Sequence, residues 1–186
     1  LNNSLSLLHK TDLMRYVLLL YIAALAGIGL PAKADPLDDW KKAEAQAEEA
    51  WHKLPMSTRN ATFISEAPKG YGVYKVRETN VFKPKDQLRI YFEPIGYDWK
   101  PLADGLVSMG VNSDFTVRNE KGAIVGHQPD FARPVIQNRH RAREFYIDFT
   151  LTISALPVGS YTVTYTMRDI ASDKSTSFDL PFEIEN

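Results

Sequence analysis

No cysteine occurs among the 186 residues. That absence excludes disulfides, thiolate metal sites, cysteine nucleophiles and a lipid-anchored N-terminal cysteine. Charge of one sign is not in excess either: 22 basic residues face 23 acidic ones, for a net charge of −1. A nucleic-acid binder held by bulk charge would carry a basic footprint, so that class is excluded. No uncharged apolar run reaches the ~20 residues that cross a bilayer as a helix. Internal repeats, low-complexity tracts and a Gly-x-Ser-x-Gly elbow are lacking as well. What is present is an apolar content of 44%. That is ordinary for a globular protein and too high for a disordered one.

The apolar residues are unevenly placed. Tyr16 to Leu30 is an uncharged run of 15 residues, preceded by Arg15 and followed by Pro31-Ala32-Lys33-Ala34. A basic start, a short apolar core and an Ala-x-Ala site predict a signal peptide over residues 1–34, cleaved after Ala34. Met14 is the natural initiator in this reading, and no Arg-Arg pair points to the twin-arginine route. The expected destination is a bacterial periplasm, with secretion the other outcome. Small extracellular domains elsewhere are commonly disulfide-stapled. Loss of Lys10, Arg15, Lys33 and Asp12 with the signal takes the net charge to −3.

Residues 35–55 read as one amphipathic helix. Asp35 can cap it, Pro36 suits its first turn, and Asp38 and Asp39 complement the positive end of its dipole. Trp40, Ala43, Ala47, Ala50, Trp51 and Leu54 recur at helical spacing, Glu49 and Lys53 form an i, i+4 pair, and Pro55 stops the helix. The apolar stripe is expected to pack on the protein's own sheet; a partner-docking face is the alternative.

Beyond Pro55 the period changes to two. Leu88, Ile90 and Phe92 alternate with Arg89, Tyr91 and Glu93, and Phe145, Ile147, Phe149, Leu151 and Ile153 form the strongest alternation. Tyr161, Val163, Tyr165 and Met167 follow a Leu156-Pro157-Val158-Gly159-Ser160 turn, and Ser175 to Ile184 closes the chain, with Pro181 indicating an edge position or a bulge. Phe115 and Val117, the turn Asn119–Gly122 and Ala123 to Val125 predict a hairpin. Shorter strands are expected at Thr62–Ser65, Gly72–Arg77 and Leu106–Val111. Residues 56–186 thus predict an antiparallel immunoglobulin-like β-sandwich of seven to nine strands preceded by one amphipathic helix. An up-and-down barrel would need longer, more evenly spaced strands.

The stretch Gly70-Tyr71-Gly72-Val73-Tyr74, Arg77-Glu78 and Asn80-Val81-Phe82-Lys83-Pro84, then Leu88 to Glu93, resembles a pattern in secreted bacterial proteins with an immunoglobulin-like sandwich. The ending Leu156 to Tyr161, Arg168-Asp169 and Leu180-Pro181-Phe182-Glu183-Ile184 is similar to their closing strands. The likeness covers about residues 70–186 and rests on turn and core positions. It implies the fold; those proteins have no assigned activity, so it implies no catalytic residue.

Two segments are candidates for binding. In Pro94-Ile95-Gly96-Tyr97-Asp98-Trp99-Lys100, Tyr97 and Trp99 follow a strand and could stack on a sugar or grip a peptide; closure of one end of the sandwich is the equal alternative. Arg139, Arg141 and Arg143 alternate around His140 and would present planar donors to a phosphate, a carboxylate or an acidic partner, against a solvated loop. Other groupings are weaker. His52 suits a helix C-terminus, and His127 with Asp130 lacks a second histidine at zinc spacing. Glu93 and Asp148 would need to meet across strands, and Asp169 and Asp173 lack the ordered acidic repeat of a calcium loop.

The sequence therefore predicts an exported binding module for a protein, peptide or glycan, without cofactor, metal site, nucleic-acid partner or membrane span after cleavage. An envelope hydrolase or metal-dependent enzyme is one alternative. A structural or assembly subunit docking through its helix is another.

Overall fold

A computed structural model describes residues 35–152 and 156–186. The export signal expected over residues 1–34 and the strand residue Ile153 lie outside the described residues. The chain divides into two compact units, Leu1–Ala45 and Gln46–Asn186. No helix among the described residues is long and apolar enough to cross a membrane.

The first unit carries the start of helix α1 (Pro36–Lys53). The Asp35 carboxylate accepts the Leu37 N–H at 3.0 Å, satisfying one of the donors a helix start leaves open. Leu37 and Trp40 are exposed, Trp40 to 58%. Within the second unit, Trp51 is the buried residue of the helix, while Ala47, Ala50 and Leu54 are exposed. Of the stripe residues in this unit, Trp51 alone is buried.

The second unit is mainly β. A three-stranded sheet runs β1 (Ser57–Phe63), β3 (Gln87–Ile95), β8 (Ile147–Thr152). A seven-stranded sheet is ordered β2 (Val81–Phe82), β10 (Ser175–Ile184), β9 (Gly159–Asp169), β5 (Val107–Asn119), β4 (Lys100–Pro101). Two further strands, β6 (Ile124–Ala132) and β7 (Val135–Asn138), pair with successive halves of β5. The architecture is a β-sandwich-like one with a single preceding helix. Ten strands occur among the described residues, above the expected seven to nine, because β2 and β4 are two-residue pairings. All pairings are antiparallel except β2 with β10.

Alternation built these sheets where one face is buried. Leu88, Ile90 and Phe92 of β3 and Ile147 and Phe149 of β8 pack with Val163, Tyr165 and Met167 of β9 in one core. Phe92 lies 5.5 Å from Phe149 and 5.1 Å from Phe178, and Phe149 stacks on Tyr165 at 5.6 Å. Each fully buried side chain of this size contributes about 1.5–3 kcal/mol. The Tyr161 hydroxyl donates to the Pro157 carbonyl at 2.8 Å, closing a tyrosine corner. Pro181 stays in register opposite Thr162, on a strand that β2 joins only at Glu183 and Ile184. It therefore occupies an open edge, where its missing N–H leaves no ladder bond unmade.

Three expectations change. The short strand at Leu106–Val111 and the hairpin strand at Phe115–Val117 are one continuous β5. Gly72–Arg77 forms only isolated bridges, Ile64 to Val76 and Gly70 to Val73. Val135–Asn138, where the sequence predicts no strand, forms strand β7.

Candidate ligand groove

The 94–100 segment turns inward. Gly96 has φ 75°, and a Cβ there would collide with the Pro55 carbonyl, so the chain bends where only glycine fits. The bend sends Tyr97 (0% exposed) and Trp99 (7%) into the core. Trp51 meets Tyr97 edge-on at 5.2 Å and Trp99 at 5.8 Å, and its indole N–H donates to the Tyr97 carbonyl at 2.7 Å. The Tyr97 hydroxyl and the Trp99 indole both donate to the Ala142 carbonyl at 3.0 Å. Burial pushes the Tyr97 phenol well above its ordinary value. Neither ring offers a free face to a sugar. The stacking expectation is therefore corrected: the pair closes one end of the core.

Asp98 between them faces outward and fastens the helix end. It takes the His52 ring Nδ1 at 2.6 Å and the Lys174 ammonium at 3.2 Å. Burial opposes ionisation here, but the hydrogen bonds from His52 and Lys174 outweigh it and hold the carboxyl below its ordinary value. Lys174 also donates to the carbonyls of His52 and Gly96.

The three arginines are not brought to one face as a site. Arg141 pairs with Glu48 on the helix, and Arg139 donates to the Asp104 carbonyl at 3.2 Å. Arg143 is half-buried, and no carboxylate pairs with it among the described residues. The segment they occupy is irregular rather than extended in a sheet. His140 is exposed beyond β7, and His127 lies 3.0 Å from the Thr116 hydroxyl.

The carboxylates are engaged separately. Glu93 is buried; it accepts from the Tyr91 hydroxyl at 2.7 Å and Asn60 at 3.0 Å, with Arg59 at 3.4 Å. Asp148 stands opposite Tyr91 in the ladder instead of meeting Glu93. Asp169 is buried and takes the N–H groups of Asp98 and Ala171 and the Ser172 hydroxyl, which makes it a loop organiser, while Asp173 is exposed. On the outer face of the large sheet, Asp114 grips Arg168, whose hydrogen bonds hold its carboxyl down at about 2. Among the described residues no three His, Asp or Glu side chains are grouped to hold a metal ion.

An open concavity lies elsewhere, on the first half of β5. A groove of about 430 Å³ is lined by Lys100, Leu102, Ser108, Asn112, Arg133, Val135, Asp169 and Ile170. The register explains it. Ser108 pairs with Lys100 of β4 on one side and with Gln137 of β7 on the other. Beside it, Gly110 lets the chain at Pro134 cross closely, since a Cβ would collide with the Pro134 carbonyl. Arg133 is steadied by the Asn112 side-chain carbonyl, and neither Arg133 nor Lys100 has a carboxylate partner among the described residues. The groove's one carboxylate, Asp169, is held by its own loop. Two exposed cations without an ion pair thus stand beside Leu102, Val135 and Ile170 and suit a ligand that is partly apolar and partly anionic.

The 94–100 segment thus supplies Lys100 to the groove rather than its aromatics. Arg133, Asn112 and Val135 carry no local motif; only the pairing of β5 with β4 and β7 assembles them. The chain matches no protein-family model and no curated protein sequence.

Proposed function

We propose that the chain is an exported periplasmic binding module, non-enzymatic, that takes an extended peptide segment of a protein partner along β7 and its adjoining groove. One observation carries the reading. β7 pairs only with β5 among the described residues, and it borders the groove through Val135. A strand edge offers unpaired backbone donors and acceptors to an added strand, and neighbouring pockets give selectivity for its side chains. Val135 and Ile136 are more than two-fifths exposed there, on opposite faces of the strand.

The test is selection of extended peptides from a random library on the purified chain. Binders are expected to lose about tenfold or more in affinity when Val135→Asp or Ile136→Asp places a charge on the edge. Unchanged affinity in both variants overturns the assignment to β7, and a stoichiometric metal with hydrolytic turnover overturns the binding-module reading. Cell fractionation with N-terminal sequencing checks the address; a mature chain beginning at Asp35 is expected.

A second reading has its own observation. Trp40 and Leu37 stand exposed at the start of α1, as a helix that docks on another chain would present them. A monomer by light scattering, unchanged by Trp40→Ala, counts against it.

A further inference from the structure

Resting on the edge-binding reading, the geometry points to an acidic strand as the occupant of β7. The four residues of β7 lie between two exposed arginines, Arg133 before them and Arg139 after them. Across the groove stands Lys100, also exposed. None of the three has a carboxylate within ion-pair distance among the described residues. Arg133 reaches the Asn112 side chain and Arg139 the Asp104 backbone carbonyl, neutral acceptors that orient each guanidinium without cancelling its charge. Some exposed cations elsewhere are paired, Arg141 with Glu48, Lys53 with Glu49 and Arg168 with Asp114 and Asp130. Others, such as Lys42, Lys75, Lys83 and Lys121, have no ion pair among the described residues. What distinguishes Arg133 and Arg139 is that both flank the same four-residue edge strand. Two guanidiniums without a carboxylate partner thus flank one open edge.

Charge also decides between a peptide and a second copy of this chain. Two β7 strands paired antiparallel about Ile136 would set Arg133 of each copy opposite Arg139 of the other. Like charges directly opposite destabilise a ladder. An added strand carrying carboxylates at both ends meets the same arginines with charge-assisted, fork-like hydrogen bonds. Its centre is apolar, because Val135 and Ile136 lie exposed between the arginines. The ligand class is thus an extended segment with an apolar centre and acidic flanks, about six residues from one flank to the other at ~3.3 Å per residue.

Two labelled peptides of about eight residues test this, a length typical of strands. Both carry the same alternating valine and threonine centre; one has glutamates at both ends, the other lysines. Fluorescence anisotropy with the purified chain is expected to give at least about tenfold tighter binding of the glutamate peptide, narrowing as salt rises. Arg133→Glu with Arg139→Glu is expected to reverse the order, and Arg139→Glu alone to narrow it should the double variant not fold. Equal binding of both peptides, or a preference that survives charge reversal, overturns the inference while leaving the edge reading standing. Binding of neither peptide, with no edge-blocking effect of Val135→Asp on any selected peptide, overturns both.

Discussion

Single residues here are governed by whether their polar atoms find partners. Tyr97 and Trp99 can be buried because their O–H and N–H share the Ala142 carbonyl, and Trp51 because its N–H finds the Tyr97 carbonyl. Tyr165 is different: fully buried in the core, its hydroxyl has no partner among the described residues, and the Ser113 hydroxyl is in the same position. A buried hydroxyl without a hydrogen bond costs about 1–3 kcal/mol of desolvation. Tyr165→Phe keeps the ring and its stacking on Phe149 and Phe178 while removing that group. It is expected to leave stability unchanged or raise it by about 1 kcal/mol, read as a shift of the urea midpoint at constant slope. A loss of that size instead would mean the hydroxyl is satisfied.

At the level of elements, strands were legible in proportion to the asymmetry of their burial. β8 and β9 read directly because one face packs on the opposite sheet and the other is more open, so their residues alternate. β3 alternates through Leu88, Ile90 and Phe92 although Tyr91 and Glu93 on its other face are buried too. The edge strand β7 is exposed on both faces, and Val135-Ile136-Gln137-Asn138 therefore shows no period. The helix was legible from its cap and charges, but amphipathicity could not say that Trp51 alone among the stripe would be buried. The inward turn at Gly96 was equally hidden, since nothing local distinguishes an aromatic loop that faces solvent from one that plugs a core. The groove depends on β5 pairing with β7 at Gly110 opposite Val135. Gly110→Ala puts a methyl group against the Pro134 backbone, which has to move. The expected result is faster amide exchange across β7 with β10 unaffected, because that strand pairs with β9 and β2 and not with β5.

The whole molecule gathers its stability from one aromatic core and a few ion pairs on its outer faces. Acid should expose the latter. Asp114 ionises at about 2 in the fold against an ordinary 3.8, so its pairing with Arg168 favours the folded state fully above about 3.8. That contribution fades as pH falls through the interval down to 2. Asp114→Asn is expected to lower stability at neutral pH and to flatten its dependence on pH across that interval, measured by thermal melts at each pH; an unaltered acid slope would contradict it. The sandwich-like architecture with its preceding helix was legible as a whole, because many alternating segments agree on it. The groove was not, because Lys100, Asn112 and Arg133 are separated in sequence and meet only through sheet register. The central claim is that β7 and its groove form a peptide-binding edge. Its most direct test is amide hydrogen exchange of the chain with and without a saturating selected peptide. Slowed exchange is expected at Val135–Asn138 with β8, the edge of the smaller sheet, unchanged; protection at β8 alone, or none at β7, overturns the peptide-binding edge.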